Sequence, residues 1–265
     1  MKAIFRDTLS ELLSRKVLFL FGCVTLVMLL AVYLTGEIES DLSRSSGGNF
    51  QVEELIGPLA PWIAEVFSKV MSVLIFLAVL ASVGLIPKAL EKGRAEFYLA
   101  RPISRTGFLF SKLLSIWVIY GSVAIMCGLI TYAVAAVIHR MFDMSILILF
   151  FIYLLNFLVW LSVVIFAGVI SGSTVWAMTA VFVVWLAQWL LSFHEGIRQL
   201  VSSELVTNLV ATLYYIVPKT GEMGDLAVRL AIGRSVESWM PLWSSLLFAF
   251  AILYLALVVF KRNNY

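Results

Sequence analysis

The sequence predicts an all-α integral membrane protein with six transmembrane helices. Composition is the first reason: 62% of the 265 residues are hydrophobic and 13% are charged, against about 25% charged in soluble domains. Patterning is the second. The apolar residues fall in six blocks, 17–35, 66–86, 113–138, 144–170, 174–193 and 242–260, whose only charged residue is Lys69. About 20 residues rising 1.5 Å each cross roughly 30 Å of hydrocarbon, so blocks of this length read as spanning helices. Charge asymmetry is the third. If the N-terminus is cytoplasmic, the inner segments hold 12 Lys/Arg and 4 acids, and the rest of the chain holds 7 and 12. That excess of Lys/Arg on one side is the positive-inside pattern. It places a multi-pass chain in a cell (inner) membrane with both termini cytoplasmic. It also explains the net charge of +3 without nucleic-acid binding.

Taken in order, residues 2–16 repeat Phe5, Leu9, Leu12 and Leu13 at helical spacing, with Arg6, Asp7, Ser10, Glu11 and Ser14 on the other face. This predicts an amphipathic helix lying on the inner membrane surface. The first block is long for a signal-peptide core and no small-x-small cleavage site follows it, so it reads as a retained span. Cys23 and Cys127 lie inside spans and read as inert helix residues. Residues 36–65 form an acidic outer loop with a flexible Ser45-Ser46-Gly47-Gly48 tip. Pro87 is expected to end the second span. Gly168 and Ser171-Gly172-Ser173-Thr174 predict a tight turn that makes the fourth and fifth spans an antiparallel hairpin.

The 48 residues between the fifth and sixth spans are too polar to span and too long for a bare loop. Ser192 and Glu195 fit a capping box. Ile197, Val201, Leu205, Leu209, Leu213 and Val217 then recur every four residues until Pro218. The expectation is an amphipathic helix over 193–217, on the outer surface or dipping back into the membrane, and a second short helix near 223–232. Trp62, Trp239 and Trp243 fall near the outer boundary, where amphipathic rings belong. The whole chain, 1–265, reads as one transmembrane domain.

Chemistry is conspicuous by what is missing from the sequence. There is no G-x-x-x-x-G-K-[ST] phosphate loop, no H-E-x-x-H and no Cys/His cluster, so no catalytic, cofactor or metal site is expected. His139 and His194 stand alone in predicted outer turns. Ser171 and Ser173 lie on the predicted inner side, a hydrocarbon thickness from either histidine, which excludes a Ser–His pair. The spans lack buried carboxylates, which coupled secondary carriers keep near the midplane. Their polar residues are neutral: Thr131, Asn156, Ser162, Thr179 and Gln188 among them. Asn156 and Gln188 are the candidates to line a pathway; hydrogen bonding to neighbouring helices is the alternative that such residues usually serve.

The most basic segment, 88–112, reads KALEKGRAEFYLARPISRTGFLFSK. A short amphipathic helix is expected over 89–100. Leu90, Phe97 and Leu99 can be buried, and Glu91, Lys92, Arg94 and Glu96 are charged. Pro102 disfavours helical geometry at Arg101 and so ends it. Glu91, Gly93, Glu96, Phe97, Leu99 and Arg101-Pro102-Ile103-Ser104-Arg105 resemble the inner loop of permease subunits of ABC-2 type transporters. The layout is similar too: an N-terminal amphipathic helix, six spans, an outer helical insertion before the last span and a basic end at Lys261-Arg262. Departures are Arg94-Ala95 where Thr-Leu is common, Ala100 where Ser is frequent, and Asn263-Asn264 where an acid is usual.

The resemblance implies a mechanism. Two permease chains would pair as a homo- or heterodimer, each docked on a separate ATPase subunit that binds the ATP. The 89–100 helix would be a cytoplasmic coupling helix, with Glu91, Gly93, Glu96, Arg101, Pro102, Ser104 and Arg105 as the ATPase-coupling residues. Uncharged spans suit a lipid-like or amphipathic substrate. The alternatives are a membrane anchor or assembly subunit, and a secondary carrier.

Overall fold

A computed structural model describes residues 2–14, 17–45, 59–90, 104–139, 142–193 and 204–262. Every regular element among them is a helix: α1 (Lys2–Ser14), α2 (Val17–Ser45), α3 (Leu59–Ser82), α4 (Leu85–Ala89), α5 (Arg105–Ile138), α6 (Ile146–Ser171), α7 (Thr174–Leu191), α8 (Glu204–Ile216), α9 (Thr220–Ala231) and α10 (Met240–Arg262). Six segments are long and apolar enough to cross a membrane: Val17–Glu37, Ile63–Ala89, Thr106–Ile138, Ile146–Ser171, Thr174–Leu191 and Met240–Arg262. They coincide with the six sequence blocks. A helix satisfies its own backbone hydrogen bonds, which hydrocarbon cannot do.

The bundle is built round α6. It packs against α3, α4, α5, α7, α9 and α10, and 15 of its 26 residues are buried. By contrast, α7 touches the core through Ala177 and Val181 and turns Trp176, Phe182, Trp185 and Trp189 outward. Between α6 and α7, Gly172 adopts φ 60° and its N–H donates to the Gly168 carbonyl at 2.9 Å. Left-handed backbone at a helix end favours glycine. Gly168 itself is helical, not part of the turn. A Cβ there would stand 3.1–3.3 Å from Ile86 and Pro87, so this glycine lets α4 lie against α6.

The second span does not end at Pro87 as expected; it breaks earlier, at Val83–Gly84, and runs on to Ala89. Helix α3 stops at Ser82, Val83 and Gly84 form a turn, and α4 continues through Pro87. Pro87 cannot donate to the carbonyl four residues back, and its ring crowds that carbonyl. That residue is Val83, which is where the helix breaks.

Contacts between helix ends sort the molecule into two ends. At the end carrying α1, Phe108 of α5 stacks on Phe260 of α10, centroids 6.3 Å apart, beside the α4–Gly168 contact. At the opposite end, the Tyr132 hydroxyl donates to the Asp143 carbonyl and accepts from its N–H, at 2.7 and 2.8 Å. Its ring meets Phe67 edge-on.

Helix α1 is amphipathic as expected, and beside its exposed apolar stripe a second row packs on protein. Ile4, Thr8 and Leu12, spaced by four, are buried, while Phe5, Leu9 and Leu13 are exposed. The face read as solvated borders the protein contact. Lys112, 2% exposed, donates to Asp7 Oδ2 at 3.1 Å and lies 3.6 Å from Glu11 Oε2. A lysine this deep is tolerated because two carboxylates meet it; one left unpaired is strongly destabilising. Helix α5 begins at Arg105, eight residues before the apolar block at 113, or about 12 Å earlier along its axis. That extension carries Lys112 to α1.

The ion cluster predicts a coupled thermal response in detergent. Lys112→Met and Asp7→Asn should each lower the unfolding midpoint. The double variant should lose less than their sum, with a coupling energy of about 1–3 kcal/mol. Additive losses would show that Lys112 and Asp7 do not act as a pair.

Candidate functional site

The chain between α8 and α10 turns back into the bundle. Helix α8 ends at Ile216, Pro218 prevents its continuation, and α9 starts at Thr220. Thr220 meets Asn156, ten residues along α6 from Ile146, a depth of about 15 Å. At its other end, α9 brings Ala231 and Ile232 beside Ile63 and Ile146, at the rim. The two helices form a hairpin re-entering from the end opposite α1. Of the helix expected over 193–217, α8 forms 204–216 and residues 194–203 lie outside the described residues; the second helix expected near 223–232 is α9, which packs into the bundle. Leu205, Leu209 and Leu213 of α8 are exposed, an apolar stripe turned away from the protein.

The start of α9 is held by three helices at once. The Asn156 Nδ2 amide on α6 donates to the Thr220 carbonyl at 3.0 Å. The Thr220 hydroxyl donates to Gln188 Oε1 on α7. Ser245 Oγ on α10 accepts from the Lys219 N–H at 2.8 Å. One turn later, Gly224 abuts Tyr153. The Tyr153 hydroxyl shares hydrogen bonds with Ser68 and Ser72 of α3, at 2.8 and 2.9 Å. Interhelical hydrogen bonds in membranes average only about 0.6 kcal/mol. Burial of Met223, Leu226, Ala227 and Ala231 therefore holds α9 in place, and the polar contacts set its register.

Asn156 and Gln188, the two pathway candidates, are thus brought to one residue, Thr220. The remaining polar span residues bond within their own helices: Thr131 to Cys127, Ser162 to Val159 and Thr179 to Val175. Sequence reasoning missed Ser68, Ser72, Tyr153, Lys219, Thr220 and Ser245. Local signals existed for three of them. Ser68 and Ser72 share one helix face at a spacing of four, as do Tyr153 and Asn156 at three.

Two cavities flank the Thr220–Gly221 start of α9. One, of about 270 Å³, is lined by Gln188, Tyr214, Lys219 and Glu222. The Lys219 ammonium sits 4.4 Å from the centre of the Tyr214 ring, a cation–π contact, and 3.4 Å from Ser244 Oγ. Burial holds its pKa below the usual lysine range, opposed by the Glu222 carboxylate. Glu222 in turn accepts from the Tyr214 hydroxyl at 2.8 Å. The second cavity, of about 340 Å³, is lined by Ser72, Tyr153, Asn156, Trp160, Trp185 and Gly221, among others. Asn156 is 5% exposed, and its Oδ1 has no hydrogen-bond partner among the described residues.

Of the residues expected to couple to an ATPase, Glu91, Gly93, Glu96, Arg101 and Pro102 lie outside the described residues, as does nearly all of the expected 89–100 helix. Ser104 caps α5, its Oγ accepting from the Gly107 N–H at 3.1 Å. Arg105 opens that helix. Ser192 is the C-cap of α7, its hydroxyl donating to the Trp189 carbonyl at 2.7 Å. It therefore does not act as the expected N-cap; Glu195 and residues 194–203 fall outside the described residues. Compared with known proteins, the chain matches no family model and no curated protein.

A Cβ on Gly224 would lie 2.8 Å from the Tyr153 hydroxyl. Gly224→Ala should therefore lower the unfolding midpoint, at a cost of about 1–3 kcal/mol. In a Tyr153→Phe background the obstructing oxygen is gone, and the same change should be neutral or stabilising, since alanine is the better helix former. An equal loss in both backgrounds would place the strain elsewhere.

Proposed function

We propose that the chain is the membrane-spanning permease subunit of an ATP-driven transporter of the ABC-2 type, and an exporter. The observation that carries the reading is the 91–105 segment, with its Glu-x-Gly-x-x-Glu run followed by Arg-Pro-Ile-Ser-Arg. The absence of any phosphate loop in the sequence leaves ATP to a separate subunit. In this reading Glu91, Gly93, Glu96, Arg101, Pro102, Ser104 and Arg105 couple the chain to that ATPase. A second permease chain completes the membrane unit.

The packing at the α1 end supports the reading. The segment is continuous in sequence with α5, whose first turn Ser104 caps, so the proposed coupling residues adjoin a long helix. Lys112 links that helix to α1 through Asp7 and Glu11. On the other side, α4 leads into the same segment and bears on α6 at Gly168. Helix α6 reaches Asn156 and so the start of α9. A mechanical route therefore runs from the loop to the re-entrant hairpin along contiguous packed elements. The same reading puts α1 in the cytoplasm. Arg6, Lys88, Lys261 and Arg262 are exposed at that end, whereas Asp143, Asp225 and Glu237 are exposed in the segments of the opposite end.

Orientation is tested by labelling intact cells with a membrane-impermeant maleimide, after replacing Cys23 and Cys127 with serine. A cysteine at Ser235 should react and one at Lys88 should not; the reverse pattern would invert the topology. Coupling is tested by mild-detergent purification. The chain should carry an ATPase subunit with it and show no ATP hydrolysis alone. Arg101→Glu or Glu91→Lys should weaken that association and its stimulated hydrolysis while the chain still reaches the membrane. Reversed charge at a docked contact costs several kcal/mol, whereas a solvated surface pair changes about 0–1 kcal/mol. Undiminished association and hydrolysis in both variants would remove the coupling role, and hydrolysis by the isolated chain would remove the subunit reading.

A further inference from the structure

The cavity beside Asn156 contains a contradiction that chemistry can resolve. The side chain is 5% exposed. Its amide nitrogen is committed to the Thr220 carbonyl, which leaves Oδ1 as a buried acceptor with no donor among the described residues. Buried side-chain acceptors are nearly always satisfied, and an exception points to an unseen partner. The residue lines a cavity of about 340 Å³, at the small end of the range for small-molecule sites.

The walls specify what fits. Among the described residues, no charged side chain lines this cavity. The first turn of α9 brings its positive dipole end there at Thr220–Gly221, which disfavours a cation. An anion offers no hydrogen for Asn156. A hydroxyl serves both partners, because it donates one hydrogen bond and accepts others. Its hydrogen can go to Asn156 Oδ1. Its oxygen can accept from the first-turn N–H groups of α9, which helix geometry leaves without intrahelical acceptors. Gly221 has open space where a Cβ would project, so an oxygen can approach that backbone.

Beyond this polar end the walls are aromatic and aliphatic, with Trp160, Trp185, Phe76 and Val79 among them. Phe76, Val73 and Trp185 are 52%, 39% and 49% exposed, so the rim opens sideways from the bundle, toward lipid. We propose that this cavity binds a neutral amphiphile with a terminal hydroxyl, admitted laterally from the bilayer with its hydroxyl at Asn156 and its apolar body between Trp160 and Trp185. Binding is a property of the chain by itself and holds whether or not an ATPase drives it.

The probe is azioctanol, an octanol carrying a photoreactive diazirine, applied to the full chain in lipid vesicles, with labelled peptides identified by mass spectrometry. Labelling should saturate and concentrate on the α6 and α7 peptides containing Trp160 and Trp185. Octanol should compete and octane should not. Asn156→Leu should reduce saturable labelling about five- to tenfold, the loss expected for one hydrogen bond. Val73→Trp, which fills the rim without touching the Asn156–Thr220 bond, should also abolish it. It decides the matter if Asn156→Leu does not accumulate in membranes. Competition by octane as strong as by octanol, or label spread evenly over exposed faces of α2 and α10, would overturn the proposal. So would the absence of saturable labelling, which would leave water as the occupant.

Discussion

Hydrocarbon offers a protein no water to bond with, and the architecture follows from that shortage. Each spanning segment is helical because only a helix supplies its backbone groups with partners along its own length. The same shortage decides where polar side chains go. Most bond a carbonyl in the preceding turn of their own helix, as Thr131, Ser162 and Thr179 do. Others reach a second helix, as Trp117 does to the Leu154 carbonyl and Tyr153 to Ser68 and Ser72, and three of them meet at the start of α9. Asn156, Gln188 and Ser245 come from three spans and meet two consecutive residues, Lys219 and Thr220. Where the chain turns back inside the bundle, its backbone must find partners on its neighbours, and these side chains provide them.

The two ends of the bundle solve different problems. At the α1 end the structure is braced, although an apolar cavity of about 360 Å³ opens between α5 and α10 beside Leu113 and Leu257. A buried ammonium is neutralised by two carboxylates, a proline-broken span lies on a glycine, and Phe108 stacks on Phe260. Such contacts transmit displacement, because packed interiors have little free volume. Toward the opposite end, two cavities flank the start of α9, a helix held by burial and kept in register by individually weak hydrogen bonds.

The spans were legible because the membrane demands length and apolarity together, and both can be counted. All six blocks matched helices. The insertion before the last span was also legible: Pro218 separates α8 from α9, and α9 covers the expected second helix. Less legible were contacts between distant residues. Asp7 and Lys112 are 105 positions apart, and Asn156 and Thr220 are 64. No local period links them, so Asp7 and Glu11 read as a solvated face. Periodicity found the apolar stripe of α1, whose Phe5, Leu9 and Leu13 are exposed, but not the neighbouring row at 4, 8 and 12 that meets protein. The break in the second span was readable in principle, since Val83 lies four residues before Pro87. Ser192 shows the opposite case, a motif match used at the end of one helix rather than the start of the next. The coupling role proposed for Glu91, Gly93, Glu96, Arg101 and Pro102 comes from the resemblance of the segment, not from a local physical pattern.

The slender footing of α7 has a further consequence. Its 18 residues make a rod of about 27 Å, close to the thickness of the hydrocarbon itself, while α5 has 34 residues and length to spare. With two buried side chains holding it to the core, α7 follows the lipid more than the protein. Mismatch between a span and its bilayer is relieved by tilt at fractions of a kcal/mol per Å, comparable to one hydrogen bond in this setting. Gln188 sits near the far end of that rod, in contact with Thr220. Membrane thickness therefore acts as a mechanical variable on the re-entrant hairpin, and lipid composition can tune how firmly the start of α9 is held.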